Sequence, residues 1–176
     1  MIVSQMTRLM KLMLSKSINH SVSPEAASAA LDILVSHRMK NSLDITIEIT
    51  KNMYKQTGSL GNCGLEDESQ SPKFFTVELN YSGVESFGML ITALIHELVH
   101  VAQYAQRRLR DLTGLSSMAC KNKHYYTNVT SYYDRPWEIE AHELEEDIYN
   151  KVSEEKNLRK YLNMHNCDEY RVLVVN

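Results

Sequence analysis

MLITALIHELVHVAQYA, residues 89–105, is the stretch that decides the fold of this 176-residue chain. Apolar residues recur so densely over residues 84–110, with no proline and with Gly88 as the only glycine, that the pattern predicts one long, largely buried helix. His96, Glu97 and His100 form an H-E-x-x-H pattern within it. Residues four apart share one helix face, so both imidazoles can reach a single metal ion with the Glu97 carboxylate beside it.

This pattern is difficult to attribute to chance or to packing. A shuffled chain of the same composition would contain it about 0.02 times. Two histidines and a glutamate in an apolar helix would also be costly to bury unless something satisfied their polar atoms. The alternative, that His96 and His100 are ordinary core or capping residues, is therefore the weaker interpretation. Zinc is the metal we expect, because neutral imidazole is a good ligand for it.

A third ligand is expected on a second helix, which Pro136 opens and whose first turns are acidic. Glu138 and Glu140 are the candidates, but they lie about 200° apart around a helix, so only one can face the metal. Helix geometry alone does not choose between them. The remaining acidic side chains of this helix, Glu143, Glu145 and Glu146, are interpreted as a solvated face, and so is Glu140 if Glu138 is the ligand.

Two stretches with a period of two predict strands. Leu43 to Thr50 alternates β-branched and polar residues, and residues 73–81 alternate in the same way around Phe75, Val77 and Leu79. Residues 56–72, rich in Gly, Ser, Asn and acidic residues, predict a connecting loop, so the two strands would form a small antiparallel or mixed sheet.

The remaining elements are helices or segments without a clear period. Helices are predicted over residues 6–14, 26–39 and 154–162, and residues 170–175 are either a strand or a loose end. Residues 111–135 carry no firm prediction beyond a possible strand at 124–129. The expected fold class is α+β, in one domain over residues 1–176, with a helical N-terminal region (1–40) and a metal-site core (73–150).

Composition excludes several classes of protein. A net charge of -3 gives no basic field for nucleic acid, and the run Arg107, Arg108 and Arg110 is explained by a helix C-terminus. No run approaches the roughly 20 apolar residues of a membrane span, and Arg8 and Lys11 interrupt any secretion signal. The three cysteines show no C-x-x-C spacing, so a cytoplasmic location is expected, the host cytoplasm for a viral protein. The oligomeric state is not predicted.

The motifs together resemble a known family. H-E-x-x-H followed some tens of residues later by E-x-x-A on a second helix resembles the gluzincins, which are zinc metallopeptidases. The stretches ALIHELVHVAQYA and YYDRPWEIEAH are more similar still to small H-E-x-x-H proteins of tailed bacteriophages. The resemblance covers Phe74 to about Glu146. It implies a zincin-like, minimal gluzincin fold, with a small sheet packed on the H-E-x-x-H helix and zinc held by His96, His100 and Glu138.

The same resemblance implies that the chain hydrolyses peptide bonds of a peptide or protein substrate, with Glu97 as the general base. Ala141 would pack against the His helix. His142 stands where the family usually has Asp or Asn, the residue that orients a metal-bound imidazole. In such enzymes a strand like residues 73–81 is the sheet edge that binds an extended peptide, although it could equally do no more than cover the helix.

An oxyanion donor is expected between the two ligand helices. The candidates are Tyr133, which we take as the catalytic one, and Tyr132, Tyr125, Tyr126 and His124.

A second hypothesis is a phage protein that keeps the zincin fold without turnover and acts as a binding or structural factor. A fourth metal ligand, such as His142 or a cysteine, would indicate it. A toxin or anti-defence factor that cuts one host protein would share the same site as the peptidase.

Overall fold

The structure, a computed structural model, describes residues 24–50, 58–67, 69–80, 84, 86–112 and 116–154. These residues form an α+β arrangement of helices and two small sheets, as expected. The helices are α1 (Pro24–Leu34), α2 (His37–Lys40), α3 (Phe87–Ala105) and α4 (Pro136–Glu154). The strands are β1 (Asp44–Thr50), β2 (Gly61–Leu65), β3 (Phe74–Asn80), β4 (Leu109–Leu112), β5 (Ser117–Cys120) and β6 (Lys123–Tyr126).

The first sheet is mixed, with the strand order β1-β3-β2. β1 and β3 run parallel, while β2 pairs antiparallel with β3. Both predicted strands are confirmed, but the predicted loop 56–72 contains β2, whose Gly-containing sequence GNCGL has no apolar period. β3 is therefore the central strand, so of the two roles considered for residues 73–81 the sheet edge is wrong. β2 takes the edge position.

The main core lies between this sheet and the helices. Alternate side chains of β1 and β3 are buried, and α3 packs on β2, β3, α1 and α4. The buried apolar residues of β1 and β3 are Ile45, Ile47, Ile49, Phe75, Val77 and Leu79. The alternation that predicted these strands is therefore the pattern of one face packed on the core.

The His helix, α3, begins and ends within the predicted range 84–110. The Ser86 side chain caps its N-terminus by accepting a hydrogen bond from the backbone N–H of Met89 (3.1 Å). The helix ends at Ala105 because Arg107 has a left-handed backbone conformation (φ 61°), after which β4 begins at Leu109. The expectation that the arginine run lies at a helix C-terminus is therefore wrong: Arg107 and Arg108 follow the helix in the connection to β4, and Arg110 belongs to β4.

Three short strands for which periodicity predicts little, β4, β5 and β6, form the second sheet in that order. Lys121 and Asn122 both have positive φ (47° and 65°), as the two central residues of a tight hairpin turn require. A small apolar cluster of Leu109, Cys120 and Trp137 attaches this sheet to the start of α4. The second sheet therefore supports the residue that precedes Glu138.

The predicted helix 26–39 is broken into two. Ser36 is extended (ψ 151°) and its side chain caps α2, which starts a new helical direction at His37. The predicted helices 6–14 and 154–162 and the segment 170–175 lie outside the described residues, except for Glu154 itself. None of the helices in the described ranges is long and apolar enough to cross a membrane.

Candidate metal centre

Three potential ligand atoms converge where α3 and α4 pack against each other. The Nε2 atoms of His96 and His100 lie 3.2 Å apart, and each lies 3.3 Å from Oε2 of Glu138. All three residues are buried, and they form a group able to hold a metal ion. The pairing of H-E-x-x-H with Glu138 expected from the sequence is thus present in the fold.

Hydrogen bonds on the far side of each imidazole fix where its proton lies. His96 Nδ1 lies 2.8 Å from Oε2 of Glu145, and His100 Nδ1 lies 2.9 Å from Oε1 of Gln103. Gln103 in turn donates from its side-chain amide to the backbone C=O of Trp137 (3.0 Å), which leaves its oxygen for His100. Since both Nδ1 atoms face acceptors, they carry the N–H in the neutral rings.

The converging atoms consequently favour a cation, either a proton on Nε2 or a metal ion. With protons on Nδ1, the two neutral imidazoles point their Nε2 lone pairs at each other and at a carboxylate oxygen, all within 3.3 Å. Ligands about 2.0–2.1 Å from a tetrahedral metal ion are about 3.3 Å apart, which matches this spacing. The donor set of two imidazoles and one carboxylate fits zinc.

The group that orients His96 is Glu145, and sequence reasoning missed it. Glu145 was assigned to a solvated face, but its carboxylate is half-buried and accepts from His96, with His142 at 3.3 Å on its other oxygen. His142 therefore contacts the orienting carboxylate and does not replace it. A signal was present, because Glu138, His142 and Glu145 lie four and then three residues apart on one helix face.

Glu140, the rival ligand, points elsewhere. Its carboxylate pairs with the Arg108 guanidinium and with the Lys121 ammonium (3.2 Å), and these cations hold its pKa below the ordinary value although burial raises it. Glu140 is therefore an ion-pair residue that joins α4 to the second sheet and not part of a solvated face. The assignment of Glu143 and Glu146 to that face is confirmed by their exposure.

Glu97 lies beside His96, His100 and Glu138, and all four residues line one cavity. Burial raises its pKa to about 6, although the nearby His100 and His96 oppose the shift. A carboxylate with a pKa close to neutrality is a stronger base than a surface glutamate. Glu97 is thus a buried carboxylate next to the candidate ligands, with a raised pKa.

Tyr132, and not Tyr133, faces the metal centre. The two residues lie in the 3₁₀ turn Tyr132–Asp134, but Tyr132 lines the same cavity as Glu138 and interacts with its carboxylate, whereas the Tyr133 side chain is 77% exposed. Partial burial and the Glu138 carboxylate raise the pKa of Tyr132, which keeps its hydroxyl proton in place. Of the other donor candidates, Tyr125 packs edge-on against Trp137, and Tyr126 and His124 are exposed.

A cavity of about 210 Å³ opens from these groups. Besides the ligands, its lining includes the β2 residues Gly61, Asn62 and Cys63 and an apolar wall of Tyr104, Leu109 and Trp137. Burial, with Glu97 nearby, raises the pKa of the Cys63 thiol, so it stays protonated. Within the described ranges two groups of three residues could hold a metal ion, and they share His96: the buried group His96, His100 and Glu138, and a more exposed group of His96, His142 and Glu145. Neither Cys63 nor His142 belongs to the buried group.

Comparison with known proteins gives no match: no family model, no curated protein and no solved structure is similar to this chain. Function is therefore inferred from the geometry of the site.

The first prediction separates the two candidate ligands on α4. Glu138→Ala removes one of three ligands, so we expect zinc-loaded protein to lose most of its metal after dialysis, while Glu140→Ala retains one equivalent per chain. Plasma mass spectrometry on untagged protein measures both. Equal retention by the two variants would contradict the ligand set described above.

The second prediction concerns Glu145. Groups that orient a metal-bound imidazole typically contribute 10–100-fold in metal affinity, so Glu145→Ala should weaken zinc binding by about this factor. Glu146→Ala, an exposed neighbour on the same helix, is the matched control and should bind as the wild type does. Competition with a chromophoric chelator gives both affinities, and indistinguishable values would remove Glu145 from the site.

Proposed function

We propose that the chain is a zinc-dependent metallopeptidase with a zincin-like fold. The observation that carries the proposal is the convergence of two imidazole lone pairs and the Glu138 carboxylate beside a buried Glu97, at the wall of an open cavity. His96, His100 and Glu138 would hold the metal. When bound there, zinc would polarise a water molecule or a carbonyl oxygen and lower the pKa of the water towards about 7.

Four side chains around the metal group would carry out the other parts of the reaction. The Glu97 carboxylate would accept a proton from the attacking water and then donate it to the amine leaving group, acting first as base and then as acid. The Tyr132 hydroxyl, held at the mouth of the site, would donate to the oxyanion that forms on the attacked carbonyl. Glu145 and Gln103 would keep both imidazoles in the tautomer that binds a metal.

The β2 edge supplies a place for a peptide backbone. Hydrogen bonds from Asn80 N–H to Leu60 C=O and from Glu66 N–H to Phe74 C=O flank the β2–β3 pairing. In this antiparallel register the main-chain groups of Gly61 and Cys63 point away from β3. Both residues line the cavity, so an extended peptide that paired with this edge would pass in front of Glu97.

The alternative function is a phage binding or structural factor that keeps the metal without turnover. A structural zinc site usually has four protein ligands and has no use for a base. The three-membered group and the adjacent Glu97 therefore favour the peptidase. The host cytoplasm remains the proposed location, and the identity of the peptide or protein substrate would be found by experiment.

The third prediction tests the activity itself. Zinc-loaded full-length protein should cleave a subset of a mixture of synthetic peptides, and Glu97→Gln, which keeps the shape but not the base, should lower the rate at least about 100-fold while retaining one zinc. Mass spectrometry of the peptide mixture detects cleavage sites. Metal binding by the wild type without cleavage of any peptide would favour the binding-factor alternative, and equal cleavage by Glu97→Gln would exclude Glu97 as the base.

The fourth prediction distinguishes two neighbouring tyrosines. Tyr132→Phe removes the proposed oxyanion donor, so we expect kcat to fall about 100–1000-fold with the metal retained. Tyr133→Phe removes a hydroxyl from an exposed ring and should leave kcat within about twofold of wild type. Steady-state kinetics on one cleaved peptide tests the pair, and a larger loss for Tyr133→Phe would reverse the assignment.

A further inference from the structure

Gly61, the first residue of β2, lies so close to the side chain of Glu97 that a larger residue would fit only if one of the two moved. A methyl group on its Cα would lie 2.6 Å from Oε1, 2.7 Å from Cγ and 3.0 Å from Cδ of Glu97. Contacts of a Cβ atom below 3.0 Å are essentially never seen. Gly61 does not have positive φ, so space, and not backbone conformation, requires glycine here.

The strand cannot easily move away from Glu97. Next to Gly61, the C=O of Leu60 accepts a hydrogen bond from the backbone N–H of Asn80 (2.9 Å), which fixes β2 to β3. The Gly61 C=O itself accepts from the Ser59 hydroxyl (2.5 Å). An added methyl group would therefore displace the flexible end of Glu97 more readily than the backbone of β2.

Glu97 also has few other restraints. The ligand Glu138 is fixed by both histidines and by Tyr132, whereas no side-chain hydrogen bond from a described residue holds the carboxylate of Glu97. Its position is set by the helix that carries it and by the surface against which it packs. The bare Cα of Gly61 is part of that surface.

We propose that Gly61 is a positioning residue, whose lack of a side chain holds the Glu97 carboxylate in its reactive place beside the metal ligands. This inference rests on the proposed function, in which Glu97 is the base. Restoring an ordinary contact distance of about 3.5 Å would shift the carboxylate by about 1 Å. Misplacement of a reacting group by this amount can lower a rate about 100-fold.

The test compares Gly61→Ala with Gly64→Ala on the same strand. A methyl group on Gly64 would come no closer than 3.5 Å to the Thr76 carbonyl oxygen, and Gly64 does not line the cavity. We expect Gly61→Ala to retain one zinc and a KM within about threefold, with kcat lowered about 100-fold. Gly64→Ala should retain wild-type kcat. Wild-type kcat in Gly61→Ala would overturn the proposal.

A stability cycle tests the contact without any activity, so it separates this inference from failure of the proposed function. In zinc-free protein, Gly61→Ala should lower Tm by about 3–8 °C when Glu97 is present, because of the clash. In a Glu97→Ala background the clash is absent, and the same change should leave Tm within about 1 °C. If Gly61→Ala does not fold, Gly61→Ala with Glu97→Ala still should. An equal loss in both backgrounds would overturn the proposal.

Discussion

The carboxylate of Glu138, held between two imidazole nitrogens at a buried helix–helix contact, is the interaction on which the site depends. Buried ionisable groups are tolerated when every polar atom has a partner. Here the partners come from three elements: α3 supplies the histidines and Gln103, α4 supplies Glu138 and Glu145, and the 3₁₀ turn supplies Tyr132. Edge strand β2 closes the cavity.

Gln103 has a particular part in this arrangement, because it joins the two ligand helices. Its amide oxygen accepts from His100 on α3, and its amide nitrogen donates to the backbone of Trp137, the residue before Glu138 on α4. One buried side chain thereby sets both the tautomer of one ligand and the position of the backbone that carries another. The Trp137 side chain, packed with Leu109 and Cys120, fixes the same turn of α4 from the second sheet.

The sequence predicts the elements whose apolar residues recur with a regular local period. The strands β1 and β3 follow from alternation, and the long helix with His96, Glu97 and His100 follows from its apolar density. What it could not predict depends on contacts between distant segments. β2 has no apolar period and is a strand because β3 pairs with it. The choice of Tyr132 over Tyr133 depends on how a single 3₁₀ turn faces α4, a direction that no local pattern specifies.

The electrostatics of the cluster also favour a cation at its centre. Burial alone would lower the pKa of His96, but the hydrogen bonds to Glu138 and Glu145 outweigh it and raise this pKa to about 9. Burial would raise the pKa of Glu138, but the hydrogen bonds with His100 and His96 hold it well below its usual range. The carboxylates therefore favour positive charge on or between the imidazoles. A proton and a metal ion would compete for that position, and a divalent ion held by His96, His100 and Glu138 would satisfy all three residues, whereas a proton can be shared by two at most.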